Sequence, residues 1–158
     1  QPHIYLDVAE EVDDQFILIG GESGDEKYYE KIANRAEEIE NVQFIGAVAP
    51  DEIHRYYSDA KALINTSNFE GFPNTFLEAW RQGTPVISLK VNPKRFLGQD
   101  GSPHYANGNF HSLIQNIKDL KNEKVQRQSG MISKKIFENR YSIESIADKY
   151  ERVLTEEL

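Results

Sequence analysis

Short apolar runs alternate with helical periods along this chain. The runs at 16–19, 42–45, 62–65 and 85–89 are almost unbroken in hydrophobic residues, and a weaker one covers 104–106. Strands with one wet face alternate apolar and polar residues, so unbroken runs suit strands covered on both faces. Between the runs, apolar residues recur every three or four positions. Ile4, Tyr5, Val8, Ala9 and Val12 mark a first helix, with Pro2 in its first turn. Tyr28, Tyr29, Ile32, Ala36 and Ile39 mark a second. Pro50, Asp51 and Glu52 open a third, since acids suit a helix N-terminus. Phe76, Leu77 and Trp80 mark a fourth, which closes at Gly83. Leu113, Ile114, Ile117 and Leu120 follow Asn109 as N-cap. The tail holds one or two more helices. The last carries Ile143, Ile146, Ala147, Tyr150, Val153 and Leu154 behind the N-cap Ser142.

This order predicts one doubly wound, Rossmann-like α/β domain over residues 1–158, a mostly parallel sheet with helices on both faces. Such a domain opens on a strand, and its first strand is central to the sheet. Here the first element is a helix. The strands at 16–19 and 62–65 would then flank an unfilled central position, unless upstream residues or another segment fill it. A sheet with a vacant centre is the least expected outcome.

Composition narrows the class. The chain has 158 residues, enough for one core, and is 39% hydrophobic and 28% charged, as soluble domains are. It has no apolar run near bilayer length and no signal-peptide pattern. Cysteine is absent, which excludes disulfides and thiolate metal sites and fits a cytoplasmic protein. The net charge of −8 opposes nucleic-acid binding. A phosphate-bearing ligand would need backbone N–H groups or a few placed cations to overcome that field.

The stretch NTSNFEGFPNTFLEAWRQGTPVI, residues 65–87, carries the candidate chemistry. A strand leads into a loop with Glu70, Gly71 and Pro73, then into a helix carrying Glu78. Ligands of open parallel sheets bind beyond the C-terminal ends of the strands. Gly71 lets backbone approach a ligand, and the N–H groups of Asn74 and Thr75 form an anion site at the helix start. Glu78 lies one turn beyond Asn74, on the same face. An ionised carboxylate only accepts hydrogen bonds, so it receives paired hydroxyls of a sugar or ribose. The eight-residue spacing alone means little, because Glu22, Glu30 and Glu38 repeat it on a helix face.

The context is more specific. Thr66 and Ser67, then Glu70, Gly71, Phe72 and Pro73, then Glu78 and Ala79, then Gly83 to Ile87, resemble the Glu-x7-Glu signature of the group-1 (family 4) retaining glycosyltransferases. The likeness extends to FILIGGES, NVQFIGAVAPDEIHRYYSDAKALI and RYSIESIADKYERVL, nearly the whole chain. These enzymes pair two Rossmann-like domains across a cleft, the GT-B fold, and this chain is similar to the C-terminal, donor-binding domain. The resemblance implies hexosyl transfer from a nucleotide diphosphate-sugar to an acceptor hydroxyl with retained configuration, in glycan, glycolipid or polysaccharide biosynthesis. It implies Glu70 as the catalytic-site carboxylate near the reacting sugar and Glu78 on the ribose. N–H groups of Phe72, Asn74 and Thr75 would meet sugar and diphosphate beside Gly71. Gly20 and Gly21 would admit the nucleotide, and the 44–48 turn with Phe44 would line the base.

The plain alternatives are a βα turn for the glycine pair, a core residue for Phe44 and a cap for Asn74. No metal or cofactor is expected. His3, His54, His104 and His111 are scattered, each read as a surface or capping residue. The expected partners are the nucleotide-sugar and an N-terminal acceptor domain of the same protein. Through that domain the full enzyme could sit at the inner face of the membrane. The family's Arg and Lys on the diphosphate would precede Gln1, so the chain alone is expected to be inactive. Lys90, Lys94 and Arg95 are read as solvated loop cations. The competing readings are a GT-B nucleotide-sugar epimerase and a non-catalytic nucleotide-sugar binding module.

Overall fold

The computed structural model describes residues 1–22, 24–93 and 104–156. Lys94 and Arg95 lie outside the described residues. The order is α1 (Pro2–Glu11), β1 (Phe16–Ile19), α2 (Glu26–Glu37), β2 (Val42–Gly46), α3 (Ile53–Asp59), β3 (Leu63–Asn65), α4 (Asn74–Arg81) and β4 (Val86–Ser88). Then come α5 (Phe110–Asp119), α6 (Glu123–Arg140) and α7 (Ile143–Glu156). The alternation read from the sequence is present, and both strand pairs are parallel.

Local chemistry sets the ends. Asn109 Oδ1 accepts from Ser112 N at 2.9 Å, and Ser142 Oγ accepts from Ser145 N at 3.1 Å, as expected of N-caps. The third helix begins later than expected. Ala49 O accepts from Glu52 N and Ile53 N, which makes Pro50, Asp51 and Glu52 a turn ahead of α3. The weak run at 104–106 gives an isolated parallel bridge from Tyr105 to Ser88 rather than a strand.

The described strands form two two-stranded sheets, β1–β2 and β3–β4, not one. Among the described residues no strand stands between β1 and β3, which is the outcome least expected from the sequence. A cavity of about 1040 Å³ lies along β1 and β3, with 14–21 and 60–67 in its walls. The contrast between strands follows. All of β4 is buried, whereas Ile17 in mid-β1 is 44% exposed.

Three apolar clusters hold the layers. Val8, Val12, Phe16, Ile87, Leu113 and Ile117 join α1 and α5 to the strands. Phe76, Ala79, Trp80 and Val86 join α4 to β4, with Phe137 of α6 against them. Leu6, Ile32 and Ala36 join α1 to α2. Each fully buried large apolar side chain contributes about 1.5–3 kcal/mol. The stripe read on α7 stays open instead, with Ile143, Tyr150 and Leu154 exposed. None of the described residues covers it.

His104 corrects an expectation. It is buried, not a surface or capping residue, and its Nε2 lies 2.9 Å from Ser129 Oγ on α6. The cause is the backbone beside β4. Ser88 N donates to His104 O, and Ala106 N donates to Ser88 O, which carries the segment inward. Burial lowers the His104 pKa below its ordinary 6.5, with Asp119 pulling the other way. The native state thus favours the neutral ring, while the unfolded chain takes a proton first as pH falls. Stability is therefore full above about pH 6.5 and declines below it toward the native pKa. Melting curves from about pH 7 to pH 5 should fall more steeply for the parent than for His104→Gln. Equal slopes would remove the ring from the acid response.

Candidate functional site

β3 ends at Asn65, and residues 66–73 carry the chain to α4. Side chains anchor the loop at both sides. Thr66 Oγ1 donates to Gln1 O, and Gln1 Nε2 donates to Thr66 O, both at 2.9 Å. Ser88 Oγ donates to Asn65 Oδ1 at 3.2 Å, and Lys90 Nζ to Asn68 Oδ1 at 2.6 Å. The loop is thus tied to α1 and to the end of β4 before it reaches Glu70.

Of the residues the sequence singled out, six line the cavity together: Glu70, Thr75, Glu78, Gly20, Gly21 and Phe44. Gly71, Phe72 and Asn74 are not in its wall. The Phe72 ring packs instead on Tyr141, at 5.6 Å between centroids. Of the three residues expected to act through backbone N–H groups, Phe72, Asn74 and Thr75, only Thr75 is in the wall. Pro73, not Asn74, is the N-cap of α4, and no side chain caps that end. Asn74 is therefore not a cap. The first N–H groups of a helix have no intrahelical acceptor, and the helix dipole adds positive potential there.

The glycine pair divides in role. A Cβ on Gly21 would sit 3.1 Å from Ala47 Cβ, so packing against the turn after β2 favours glycine. A Cβ on Gly20 would meet nothing within 4 Å. Phe44 serves both readings made of it. It packs on Tyr29 at 5.6 Å and joins the cluster under α2, and it also faces the cavity.

Sequence reasoning misses the aromatic wall. Tyr28, Tyr29, Tyr56 and Tyr57 all line the cavity. The signal is the paired tyrosines in KYYE and RYYSD, but helical period assigns the first pair to the core face. Tyr57 stands against Glu78. Burial, then the neighbouring Glu78 carboxylate, raises the Tyr57 pKa well above the usual phenol range. The described lysines bearing on the cavity and its loop have partners: Lys61 pairs with Asp14 at 2.7 Å, Lys121 Nζ donates to Asp13 O, and Lys90 Nζ donates to Asn68. Among the described residues no three His, Asp or Glu side chains converge on a metal position.

The arrangement joins a helix N-terminus, two carboxylates and an aromatic wall around one crevice. Residues 3–123 match the family described as glycosyl transferases group 1. The chain belongs to this family. No curated protein matches the sequence. Solved structures give the fold. Sucrose-phosphate synthase (tll1590) from Thermosynechococcus elongatus superposes with a TM-score of 0.80 at 21% identity, over 98% of this chain and 41% of that one. Anabaena Alr3699/HepE in complex with UDP-glucose gives 0.78 at 17% identity, over 98% and 44%. A TarM variant from S. aureus, in complex with fondaparinux, alpha-GlcNAc-glycerol and UDP, gives 0.77 at 22% identity, over 95% and 32%. The group 1 chain is thus an α/β domain of the GT-B type, spanning less than half the length of each of these chains.

Proposed function

We propose that this group 1 domain is the donor-binding part of a retaining glycosyltransferase. The full enzyme moves a hexosyl group from a nucleoside diphosphate-sugar to an acceptor hydroxyl in glycan or glycolipid assembly. The observation that carries this reading is the shared cavity wall of Glu70, Thr75, Glu78, Gly20, Gly21 and Phe44. In it, Glu78 accepts from the ribose hydroxyls and Glu70 from the sugar hydroxyls near the reacting carbon. The N–H groups of Phe72, Asn74 and Thr75 receive the diphosphate, where a helix N-terminus favours anions. Phe44 and the tyrosines give the base an apolar wall. UDP accompanies one of the solved neighbours above and UDP-glucose another, and uridine diphosphate is the leaving group proposed here.

Transfer has to stabilise the charge that builds on the departing diphosphate. Among the described residues Lys61 is held by Asp14, Lys121 by the Asp13 carbonyl and Lys90 by Asn68; the proposal assigns that stabilisation to the facing domain and expects no turnover from this chain alone. No metal or cofactor enters the scheme. The partner is a facing acceptor domain of the same protein, through which the enzyme would meet the cytoplasmic face of a membrane.

A calorimetric titration with UDP, GDP and ADP tests the reading, with UDP release from UDP-glucose followed in parallel. The expected result is UDP binding at least about tenfold tighter than GDP or ADP, a difference of about 1.4 kcal/mol, without UDP release. Binding of none of the three would sink the donor reading. Release by the chain alone would sink the claim of inactivity.

A further inference from the structure

The two carboxylates of the site stand on different supports, Glu70 in the loop ahead of α4 and Glu78 on α4 itself. A ligand that reaches both needs the loop held at one angle to the helix. The ring of Tyr141, just past α6, pairs with both supports. It lies 5.6 Å from the Phe72 ring, two residues past Glu70, and 6.4 Å from the Trp80 ring, two residues past Glu78. Both separations fall in the range of favourable aromatic pairs. The Trp80 pair is stacked, at 28° between planes, and the Phe72 pair is tilted, at 50°.

Tyr141 is itself well fixed. Tyr141 N and Ser142 N both donate to Phe137 O, at 2.8 and 3.1 Å. Ser142 Oγ donates to Glu138 O at 3.0 Å, and Ser145 Oγ to Asn139 O at 2.6 Å, so the turn between α6 and α7 is closed by its own side chains. Trp80 is fully buried, with the Phe76 ring edge-on to it at 5.5 Å. The loop is the open partner. Phe69 is exposed, a Cβ on Gly71 would meet nothing within 4 Å, and Phe72 is 45% exposed. Between Asn68, bound to Lys90, and the buried Pro73, the Phe72 ring is where packing grips the loop.

We propose that Tyr141 is a positioning residue for the donor. By pairing with Phe72 and Trp80 at once it braces the Glu70 loop against α4, and so sets where the sugar sits relative to the ribose. The inference rests on the donor reading and deepens it. It concerns a residue outside the stretch 3–123 that the family matches. Tyr141 is not in the cavity wall, so it acts through Phe72 rather than on the ligand. Without its ring the loop spends part of its time with Glu70 out of reach. Apparent affinity then falls in proportion to the fraction of molecules whose loop is in place. The sugar end of the ligand feels this most, because Glu78 stays on a helix held by its own buried face. The ring makes both pairs, so a phenylalanine at this position serves equally.

Calorimetric titration with UDP and with UDP-glucose tests this on the parent, Tyr141→Ala, Tyr141→Phe, Phe72→Ala and the double alanine variant. The quantity read is the ratio of the two dissociation constants. In Tyr141→Ala the ratio should shift against UDP-glucose by about 3- to 10-fold, the weight of one aromatic pair. Phe72→Ala keeps the backbone N–H and should give the same shift. The double variant should add nothing further, because both substitutions remove one contact. Tyr141→Phe should keep the parent ratio. Equal losses for the two ligands would overturn the inference and leave Tyr141 a core residue only, as would additive shifts in the double variant. If Tyr141→Ala does not fold, Phe72→Ala decides: a parent ratio there, with UDP binding intact, overturns this inference and spares the donor reading. A parent that binds neither ligand overturns both.

Discussion

Gly130→Ala is expected to destabilise the domain by about 3 kcal/mol or more. The reason is a crossing of two backbones. A Cβ on Gly130 in α6 would lie 2.3 Å from the carbonyl oxygen of Gly83, just past α4. A flexible side chain could step aside from such an atom, but a peptide carbonyl cannot. Gly83 is itself fixed. It has φ +77, and it closes α4 with hydrogen bonds from Gly83 N to Trp80 O and from Thr84 N to Ala79 O. This is a Schellman motif, and it needs a residue at ease in the left-handed region. The helices would have to separate, which opens the packing of Trp80 against Phe137 and Tyr141. For a domain of this size each kcal/mol shifts the melting temperature by about 2–4 °C, so a fall of about 6–12 °C is expected. Met131→Ala, one residue along and 74% exposed, should leave it nearly unchanged. A Gly130→Ala protein that melts with its parent would contradict the crossing. The same substitution should also weaken nucleotide binding, because α4 carries Thr75 and Glu78.

Glu78→Ala carries the second large effect, on binding rather than stability. Glu78 is on the exposed side of α4, where neighbouring Ala79 and Trp80 are buried, so truncation should change stability by no more than about 0.5 kcal/mol. On the proposed reading its carboxylate takes hydrogen bonds from the ribose. Hydrogen bonds to a charged group are worth about 1.5–3 kcal/mol. The loss should therefore be about 10- to 100-fold in affinity for UDP. Tyr57, whose hydroxyl stands against that carboxylate, should lose its contact in the variant. A variant that unfolds would betray a structural role for Glu78 instead.

Much of the fold and of the site is legible in the sequence, because much of it rests on local chemistry. The strand at 16–19 and the helices behind Asn109 and Ser142 follow from unbroken apolar runs and N-cap chemistry, both of which act locally. The loop and helix around Glu70 and Glu78 are marked by Gly71, Pro73 and Gly83, which punctuate a chain whatever surrounds it. What the sequence does not reveal depends on distant partners. The burial of His104 requires Ser129 on α6, twenty-five residues on. The start of α3 is displaced by a turn at Ala49 that acidic residues alone do not signal. The apolar stripe of α7 is amphipathic as read, but a period says nothing about what lies against it. The Gly83–Gly130 crossing leaves no trace in sequence pattern, since a glycine in a long helix reads only as a weak point. At the site, Tyr57 escapes notice because α3 has no buried residue to set a period, and its value lies in facing Glu78.

The claim at the centre of this account is that Glu78 holds the ribose of a nucleoside diphosphate in the cavity beside β1 and β3. Titrating the parent and Glu78→Ala with UDP and with 2′,3′-dideoxyuridine diphosphate tests it most directly. The account predicts that the parent prefers UDP by at least about tenfold and that the variant binds both weakly and equally. A variant that keeps the parent's preference for UDP would contradict it.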